Sequence, residues 1–235
     1  MIRKYKKKFN LKPKPKPIQN LEAKPKPIQN LEAKPKPIKN LEAKPIYNLS
    51  SINNNTIKKE GLNVLIVSYG GSCSNQFAYN CQKSPLRCIT MLWKKILCHC
   101  PIYIDVDIPI IYIYDNPIKS FLSQKRRGAE YTDINQKKLS NNENINLSHE
   151  NLLKLMIKQF NNWTTVKKDN ILIIKSSEIF ENKIVNKLEQ FLKKPIYDFP
   201  LKYKEPKITS KDVQKFKTTK LYKKYQVELE KIINF

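Results

Sequence analysis

A short glycine-containing stretch holds the residues of this sequence whose types and spacing could most directly do chemistry. Two of the chain's four glycines, Gly70 and Gly71, stand side by side after the apolar run 64–67. Paired glycines permit a tight turn, and small polar residues after them are good helix N-caps. Backbone N–H groups would converge there at the positive end of a helix dipole and could hold a phosphate or sulfate, although a turn with no ligand fits the same pattern. The residues of this predicted cradle are Tyr69, Gly70, Gly71, Ser72, Cys73, Ser74 and Asn75.

A histidine close to a proline is the second candidate. Residues 95–101 form a short apolar segment, which we predict to be a buried strand ending near His99. An imidazole at a strand end could act as a base, and a satisfied core or loop histidine is an equally good interpretation. Cys98, Cys100 and Cys88 superficially offer metal ligands beside it. Because Cys-x-x-Cys spacing is absent and neighbouring strand residues face opposite ways, we expect buried thiols and no metal site.

Apolar runs that alternate with helical patterns must position these residues. The runs 64–67, 109–114 and 170–174 are rich in β-branched and aromatic residues, which favours buried strands. Strands alternating with helices predict an α/β domain with a parallel sheet, and ligands bind such sheets beyond the carboxyl ends of the strands. The glycine turn, His99 and residues 115–117 would all lie at those ends. We predict helices at 75–93 with a break at 84–85, at 117–127, at 148–163, at 177–192 and at 211–235.

The beginning of the chain differs in composition from the rest. Residues 1–47 contain 14 Lys and Arg against three Glu, and the whole chain carries 45 against 20, a net charge of +25. A decapeptide, LEAKPKPIQN, starts at Leu21 and recurs with one change at Leu31. Alternating Lys-Pro disfavours helix and sheet, so we expect a disordered basic repeat arm and linker over 1–56, with the Asn-rich residues 50–59 continuing the linker. Residues 1–47 could contact nucleic acid or an acidic surface, or could have no fixed partner.

The sequence also gives an expectation about the compartment. It shows no apolar signal segment at its start and no apolar run as long as a membrane span. Its five cysteines, an odd number, all lie between Cys73 and Cys100. These features favour a reducing, intracellular and cytoplasmic setting.

Two of these segments, the glycine-containing loop and the later segment with His99, resemble the sulfotransferase family, whose members use phosphoadenosine phosphosulfate as the sulfuryl donor. The loop after the first strand is similar to the family's Tyr-Pro-Lys-Ser-Gly-Thr-Thr and matches at Tyr69, Ser72 and Ser74. The later segment is similar to Lys-Thr-His-Leu-Pro and matches at His99 and Pro101.

A third segment adds to the resemblance. Residues 112–117 are similar to the family's strand followed by Arg-Asn-Pro and a helix, with Asp115 at the arginine position and Ser123 eight residues later. The resemblance spans about 63–193. It implies a three-layer P-loop-like α/β domain with a central parallel sheet, which we place at 57–235.

The resemblance also implies an activity. That activity is transfer of a sulfuryl group from phosphoadenosine phosphosulfate to a hydroxyl or amine acceptor. His99 would take the proton of the acceptor, the loop 69–75 would hold the phosphosulfate, and Ser123 would contact the 3′-phosphate.

Two departures from the family pattern bear on that activity. Gly71 stands where the family has its loop lysine, and loss of this cation removes stabilisation of the transition-state charge. Asp115 replaces the arginine of the 3′-phosphate site, where a carboxylate would repel phosphate. Arg126 and Arg127 on the following helix could compensate. The alternative function is therefore a catalytically degenerate protein that binds a nucleotide or another anion, with the basic arm contacting nucleic acid or a scaffold.

Overall fold

A sheet of four parallel strands forms the core of the computed structural model. The strands are β1 (Val64–Val67), β2 (Cys88–Ile89), β3 (Ile110–Tyr114) and β4 (Ile171–Lys175), in the order β2-β1-β3-β4. Leu65 of β1 pairs with Ile110 of β3, which pairs with Ile171 of β4. The predicted α/β class with a parallel sheet is confirmed. The structure describes residues 45, 54–59, 61–83, 88–89, 99–181, 183–196 and 208–235.

Helices precede, connect and follow the strands. A 3-10 helix, Ser176–Phe180, comes directly after β4. In the described parts of the chain, no helix is both long enough and apolar enough to cross a lipid bilayer. The α-helices are α1 (Asn54–Lys59), α2 (Ser74–Lys83), α3 (Pro117–Arg126), α4 (Ala129–Ser140), α5 (His149–Thr164), α6 (Lys183–Leu192), α7 (Ser210–Lys217), α8 (Lys220–Lys224) and α9 (Gln226–Ile233).

Both faces of the sheet are buried, because alternate residues of each strand point to opposite sides. On β1, Leu65 and Val67 belong to the apolar core of the first face, and Val64 and Ile66 to that of the second. Apolar residues of α3, α5, α7, α8 and α9 complete the first core. Residues of α2, the 3-10 helix and α6 complete the second. All five residues of β3 are buried, as a strand covered on both faces requires.

Two helices begin where their capping residues predict. Asn116 caps α3 by accepting hydrogen bonds from two backbone N–H groups, and Pro117 is the first helical residue. Ser148 caps α5 by accepting a hydrogen bond from the N–H of Asn151 at 3.0 Å. The predicted helices over 117–127 and 148–163 are therefore confirmed to within one residue.

The structure corrects four predictions in the first two thirds of the chain. Cys88–Ile89 form a strand where helix was predicted, and residues 99–101 form a turn where a strand end was predicted. Residues 95–98 of that predicted strand lie outside the described residues. Residues 54–59, placed in the linker, form α1 with a buried Ile57. Helix α4 has no counterpart among the predicted elements.

The last part of the chain is also more broken than predicted. A single helix was predicted over 211–235, but three short helices are present: α7 ends at its C-cap Thr218, Thr219 caps α8, and Tyr225 separates α8 from α9. The predicted helix 177–192 is a 3-10 helix followed by α6, with Glu181 in an extended conformation between them. Residues 1–44 lie outside the described residues, so the disordered arm and the boundary at residue 56 stay predictions.

Candidate functional site

The predicted loop lies at the carboxyl ends of β1 and β3. Because these strands are parallel neighbours, the residues after each of them meet at one edge of the sheet. The phenol of Tyr69 joins the two ends: its oxygen accepts a hydrogen bond from the N–H of Asp115 at 2.9 Å and donates to the carbonyl of the same residue. Tyr69 is fully buried, and burial raises its pKa. It therefore fixes the loop and does not face a ligand.

The turn depends on both glycines. Gly70, Gly71 and Cys73 all have positive φ, at 89°, 72° and 59°. A Cβ on Gly71 would lie 2.8 Å from the carbonyl oxygen of Ser120, so the backbone of α3 leaves no room for a side chain. A Cβ on Gly70 would lie 3.1 Å from Cε1 of His99. The loop can pass between α3 and the histidine only because these two positions have no side chain.

Buried side chains hold the carbonyl groups of the loop. The Ser68 carbonyl accepts hydrogen bonds from Nδ1 of His99 at 2.8 Å and from Nε2 of Gln159 at 3.1 Å. Nε2 of Gln124 lies 3.3 Å from the carbonyl oxygen of Tyr69 and 3.4 Å from that of Gly70. In a trans peptide the C=O and the following N–H point in opposite directions. Holding the Gly70 carbonyl therefore directs the next N–H away from Gln124.

Three consecutive N–H groups are left at the start of α2. Those of Gly71, Ser72 and Cys73 donate to no acceptor within the described part of the chain. Helix α2 begins at Ser74, so these donors lie at the positive end of its dipole. Successive backbone N–H groups in a turn with positive φ values can form a concavity that binds an anion.

The side chains of the loop divide into two groups. Ser72 and Ser74 are buried; the hydroxyl of Ser72 donates to the carbonyl of Ile113 at 3.3 Å, and that of Ser74 accepts from Ser68 at 2.8 Å. Cys73 and Asn75 are exposed. The serine hydroxyls thus hold the loop, and the backbone N–H groups of residues 71–73 remain without an acceptor in the described part of the chain.

The two predicted arginines point to different neighbours. Arg127 is the C-cap of α3 and lies on the same side of that helix as Ser120 and Gln124. Burial lowers the pKa of His99 and raises that of Cys73, and the guanidinium of Arg127 adds to the fall at His99 and opposes the rise at Cys73. Arg126 instead acts on Asp212 of α7. Arg127 therefore acts on the loop by charge while its guanidinium donates a hydrogen bond to the hydroxyl of Tyr131, and Arg126 acts on Asp212.

Ser123 is half-buried on α3, three residues after Ser120. Its hydroxyl makes no hydrogen bond within the described residues. It lies on the flank of the helix that carries Arg127.

His99 is buried beneath the loop with only 1% of its surface exposed. Burial lowers its pKa to about 4, and the positive charges of Lys138 and Arg127 add to this, while the hydrogen bond to Ser68 opposes it. A carbonyl can only accept, so Nδ1 carries the hydrogen and Nε2 has the free lone pair. Nε2 has no hydrogen-bond partner. The imidazole is therefore neutral at pH 7.

Asp115 places a carboxylate at the same edge of the sheet. Burial raises its pKa, and hydrogen bonds from the Asn116 N–H and Ser176, together with Lys119 and Lys175, oppose that rise. The carboxylate also raises the pKa of the Cys73 thiol, after the larger effect of burial. An anion bound to the loop would therefore be repelled by the carboxylate of Asp115 and attracted by the guanidinium of Arg127.

Three buried amides were not predicted as part of the site. Gln124 and Gln159 hold the loop carbonyls, and Asn135 of α4 donates to Oε1 of Gln124 at 2.8 Å. The signal in the sequence is a glutamine on an apolar helix face, as at Gln159 between Met156 and Phe160. A polar residue at such a position needs a buried partner.

No metal centre is visible in the described part of the chain, where no group of three or more His, Cys, Asp and Glu side chains could hold an ion. Cys81 and Cys100 are buried thiols, and Sγ of Cys100 lies 3.1 Å from the carbonyl oxygen of Ile102. Cys98, the other thiol next to His99, lies outside the described residues.

Comparison with protein-family models, with curated proteins and with solved structures found no match to this chain. The resemblance to sulfotransferases therefore rests on three short segments, and the function has to be argued from the geometry of the site.

Proposed function

We propose that this protein binds the phosphate or sulfate group of an anionic ligand on the loop 69–75. The observation that carries the proposal is the set of three N–H groups at Gly71, Ser72 and Cys73 that have no acceptor in the described part of the chain. Because amides from α3 and α5 hold the loop carbonyls, these donors are oriented before a ligand arrives. Such preorganisation lowers the ordering cost of binding.

Arg127 supplies the positive charge in this proposal. It is exposed at the end of α3, and its guanidinium lies over the ring of Tyr131 at 4.7 Å, which restricts where it can move. The carboxylate of Asp115, which follows β3, carries the opposite charge and acts on the same loop. The two opposing charges predict that the loop binds the anionic group selectively but more weakly than a loop with its own lysine would.

An adenosine nucleotide with 3′- and 5′-phosphates is the proposed ligand class. The resemblance to sulfotransferases motivates this choice, and adenosine 3′,5′-bisphosphate is the compound to test first. A three-layer P-loop-like arrangement is part of the proposal and is supported by a parallel sheet with apolar cores on both faces. Ser123 is the proposed contact for the second phosphate.

Neighbouring arginines provide a matched test. Arg127→Gln should weaken the binding of adenosine 3′,5′-bisphosphate about tenfold to a hundredfold, since a charged hydrogen bond contributes about 1.5–3 kcal/mol. Arg126→Gln removes the same charge one residue away and should change the dissociation constant less than about twofold, because the charge of Arg126 acts on Asp212 of α7. Titration calorimetry of both variants at fixed ionic strength measures this. Equal weakening by both would indicate a general attraction to the basic surface and contradict the proposed site.

Sulfuryl transfer is the second candidate, and one contact favours it. Gly70 of the cradle and His99, the candidate base, are neighbours, with 3.1 Å between Cε1 and the position of a Cβ on Gly70. The neutral imidazole has the lone pair that a base needs.

Two other observations rank binding above transfer. The loop has no lysine. In this conformation Nε2 of His99 is buried, so the molecule that would receive the sulfuryl group could not reach it. Radiolabelled phosphoadenosine phosphosulfate distinguishes the two functions. Turnover that disappears in His99→Ala would establish transfer, whereas tight binding of the donor without turnover would establish binding alone.

A further inference from the structure

Helix α4 lies beside His99 at the point where the imidazole meets Gly70 of the loop. A Cβ on Gly70 would lie 3.1 Å from Cε1 of His99 and 3.3 Å from Nδ2 of Asn135, so the two side chains meet at that glycine. Lys138, one turn further along α4, lowers the pKa of the imidazole. The histidine is thus closed off on this side by a helix that the sequence did not predict.

The contact between α4 and the loop leaves two buried acceptors unpaired. Nε2 of His99 and Oδ1 of Asn135 have no hydrogen-bond partner, and each residue exposes only 1% of its surface. Both atoms need a donor, and neither can supply one to the other in the neutral state. Opening the contact to water would satisfy both, which favours separation.

The buried face of α4 is unusually polar for a helix packed on a core. It consists of Thr132, Asn135, Gln136 and Leu139, so one residue is apolar. Helix α5 beside it buries six apolar residues. Because apolar burial is the main force that attaches a helix to a core, α4 is held less firmly than α5.

The connection before α4 has the freedom of a hinge. Gly128 separates α3 from α4, has φ 99° and ψ 170°, and no atom lies within 4 Å of where its Cβ would be. This region of backbone conformation is open almost only to glycine. At the other end, Asn141 stops the helix in the left-handed conformation before the loop to Ser148.

We propose that α4 is a lid, which opens about Gly128 and exposes Nε2 of His99 together with the inner side of Gly70. The lid closes a polar compartment bordered by Gln124 and Asn135, next to the charges of Arg127 and Lys138. Opening admits a small hydrogen-bond donor, water in the simplest case, to the two unpaired acceptors. This inference goes beyond the proposed anion site and holds whichever ligand the loop binds.

The chain has two histidines, and the second serves as an internal reference. His149 is exposed at the start of α5. Diethyl pyrocarbonate reacts with neutral imidazole, so at pH 7 it labels His149 at once and His99 only when the lid is open. Labelling of each histidine is followed by peptide mass spectrometry as a function of urea concentration, alongside global unfolding of the same protein.

A lid predicts that His99 is labelled in the absence of urea, with a urea dependence less than about half that of global unfolding, because a local opening exposes little surface. Two results would overturn the proposal. Labelling of His99 as fast as that of His149 would mean that the helix covers nothing. Labelling with the full urea dependence of global unfolding would mean that α4 does not open by itself.

A pair of Leu→Ala variants adds a second measurement. Leu139→Ala removes the apolar anchor of α4 and should speed the labelling of His99 about tenfold or more without urea. Leu188→Ala truncates an equally buried leucine of α6 on the opposite face of the sheet and should leave that rate unchanged. Equal acceleration by both variants would contradict the lid.

Discussion

Gly71 occupies the loop position at which sulfotransferases carry a lysine, and its surroundings leave no room for one. Its φ of 72° disfavours any side chain, and the backbone of Ser120 lies where the Cβ would be. Restoring the lysine at this position would therefore displace α3 and would not rebuild a sulfuryl-transfer site. A single residue thus excludes a side chain at this position and leaves only the backbone N–H to serve the proposed anion site.

The buried imidazole of His99 should make stability depend on pH. Its pKa is about 4 in the folded protein against 6.5 in an ordinary environment, so between these values the unfolded chain binds more protons. Stability is complete above pH 6.5 and falls as the pH is lowered towards 4, by up to about 3 kcal/mol. Urea unfolding of wild type and His99→Gln at several pH values measures the difference. Parallel pH curves for the two proteins would show that His99 is not buried in the neutral form.

Whole elements were predictable where one pattern dominates. Strands β1, β3 and β4 are continuous apolar runs, and α3 and α5 have clear caps at Asn116 and Ser148. Helix α4 was missed because its buried face is polar, and β2 because two residues show no periodicity. The loop of the site follows from its glycines, but the amides that hold it do not, because Gln124 meets the loop only through tertiary packing.

The packing of α3 on the loop gives a prediction at the level of these elements. Gly71→Ala should destabilise the fold by about 1–2 kcal/mol for positive φ and by about 1–3 kcal/mol more for the clash with α3. Gly61→Ala is the matched control, since Gly61 has a similar φ of 62° but is exposed. Chemical denaturation of both variants measures the difference. Equal losses would show that α3 is not packed on the loop.

The charge of the whole molecule is unevenly distributed. The basic residues at the start of the chain could attract anions by charge alone, in competition with binding at the loop. Of the net charge of +25, residues 1–47 contribute 14 positive and three negative side chains. All of these residues except Pro45 lie outside the described part of the chain, and their proposed contact with nucleic acid rests on charge alone. Long-range attraction of this kind is screened by salt, whereas binding to oriented N–H groups is much less so.

Deletion of residues 1–47 separates the two modes. Affinity for DNA or RNA should fall steeply with salt in the full chain and be much weaker in the truncated protein, because the 14 basic side chains proposed to contact nucleic acid are gone. Affinity for adenosine 3′,5′-bisphosphate should stay within about twofold, since the loop is retained. Filter binding for the nucleic acid and calorimetry for the nucleotide provide the measurements. Loss of nucleotide affinity on deletion would place the nucleotide on the arm and not on the loop.

Backbone amide shifts of the loop test the central claim most directly. In a ¹⁵N-labelled sample titrated with adenosine 3′,5′-bisphosphate at constant ionic strength, the amides of Gly71, Ser72 and Cys73 should shift most, together and saturably. Their N–H groups are the donors without an acceptor in the described structure, so a bound anion must polarise them first. Shifts that spread over the exposed lysines without saturation, and leave these three amides unchanged, would contradict an anion site in the loop.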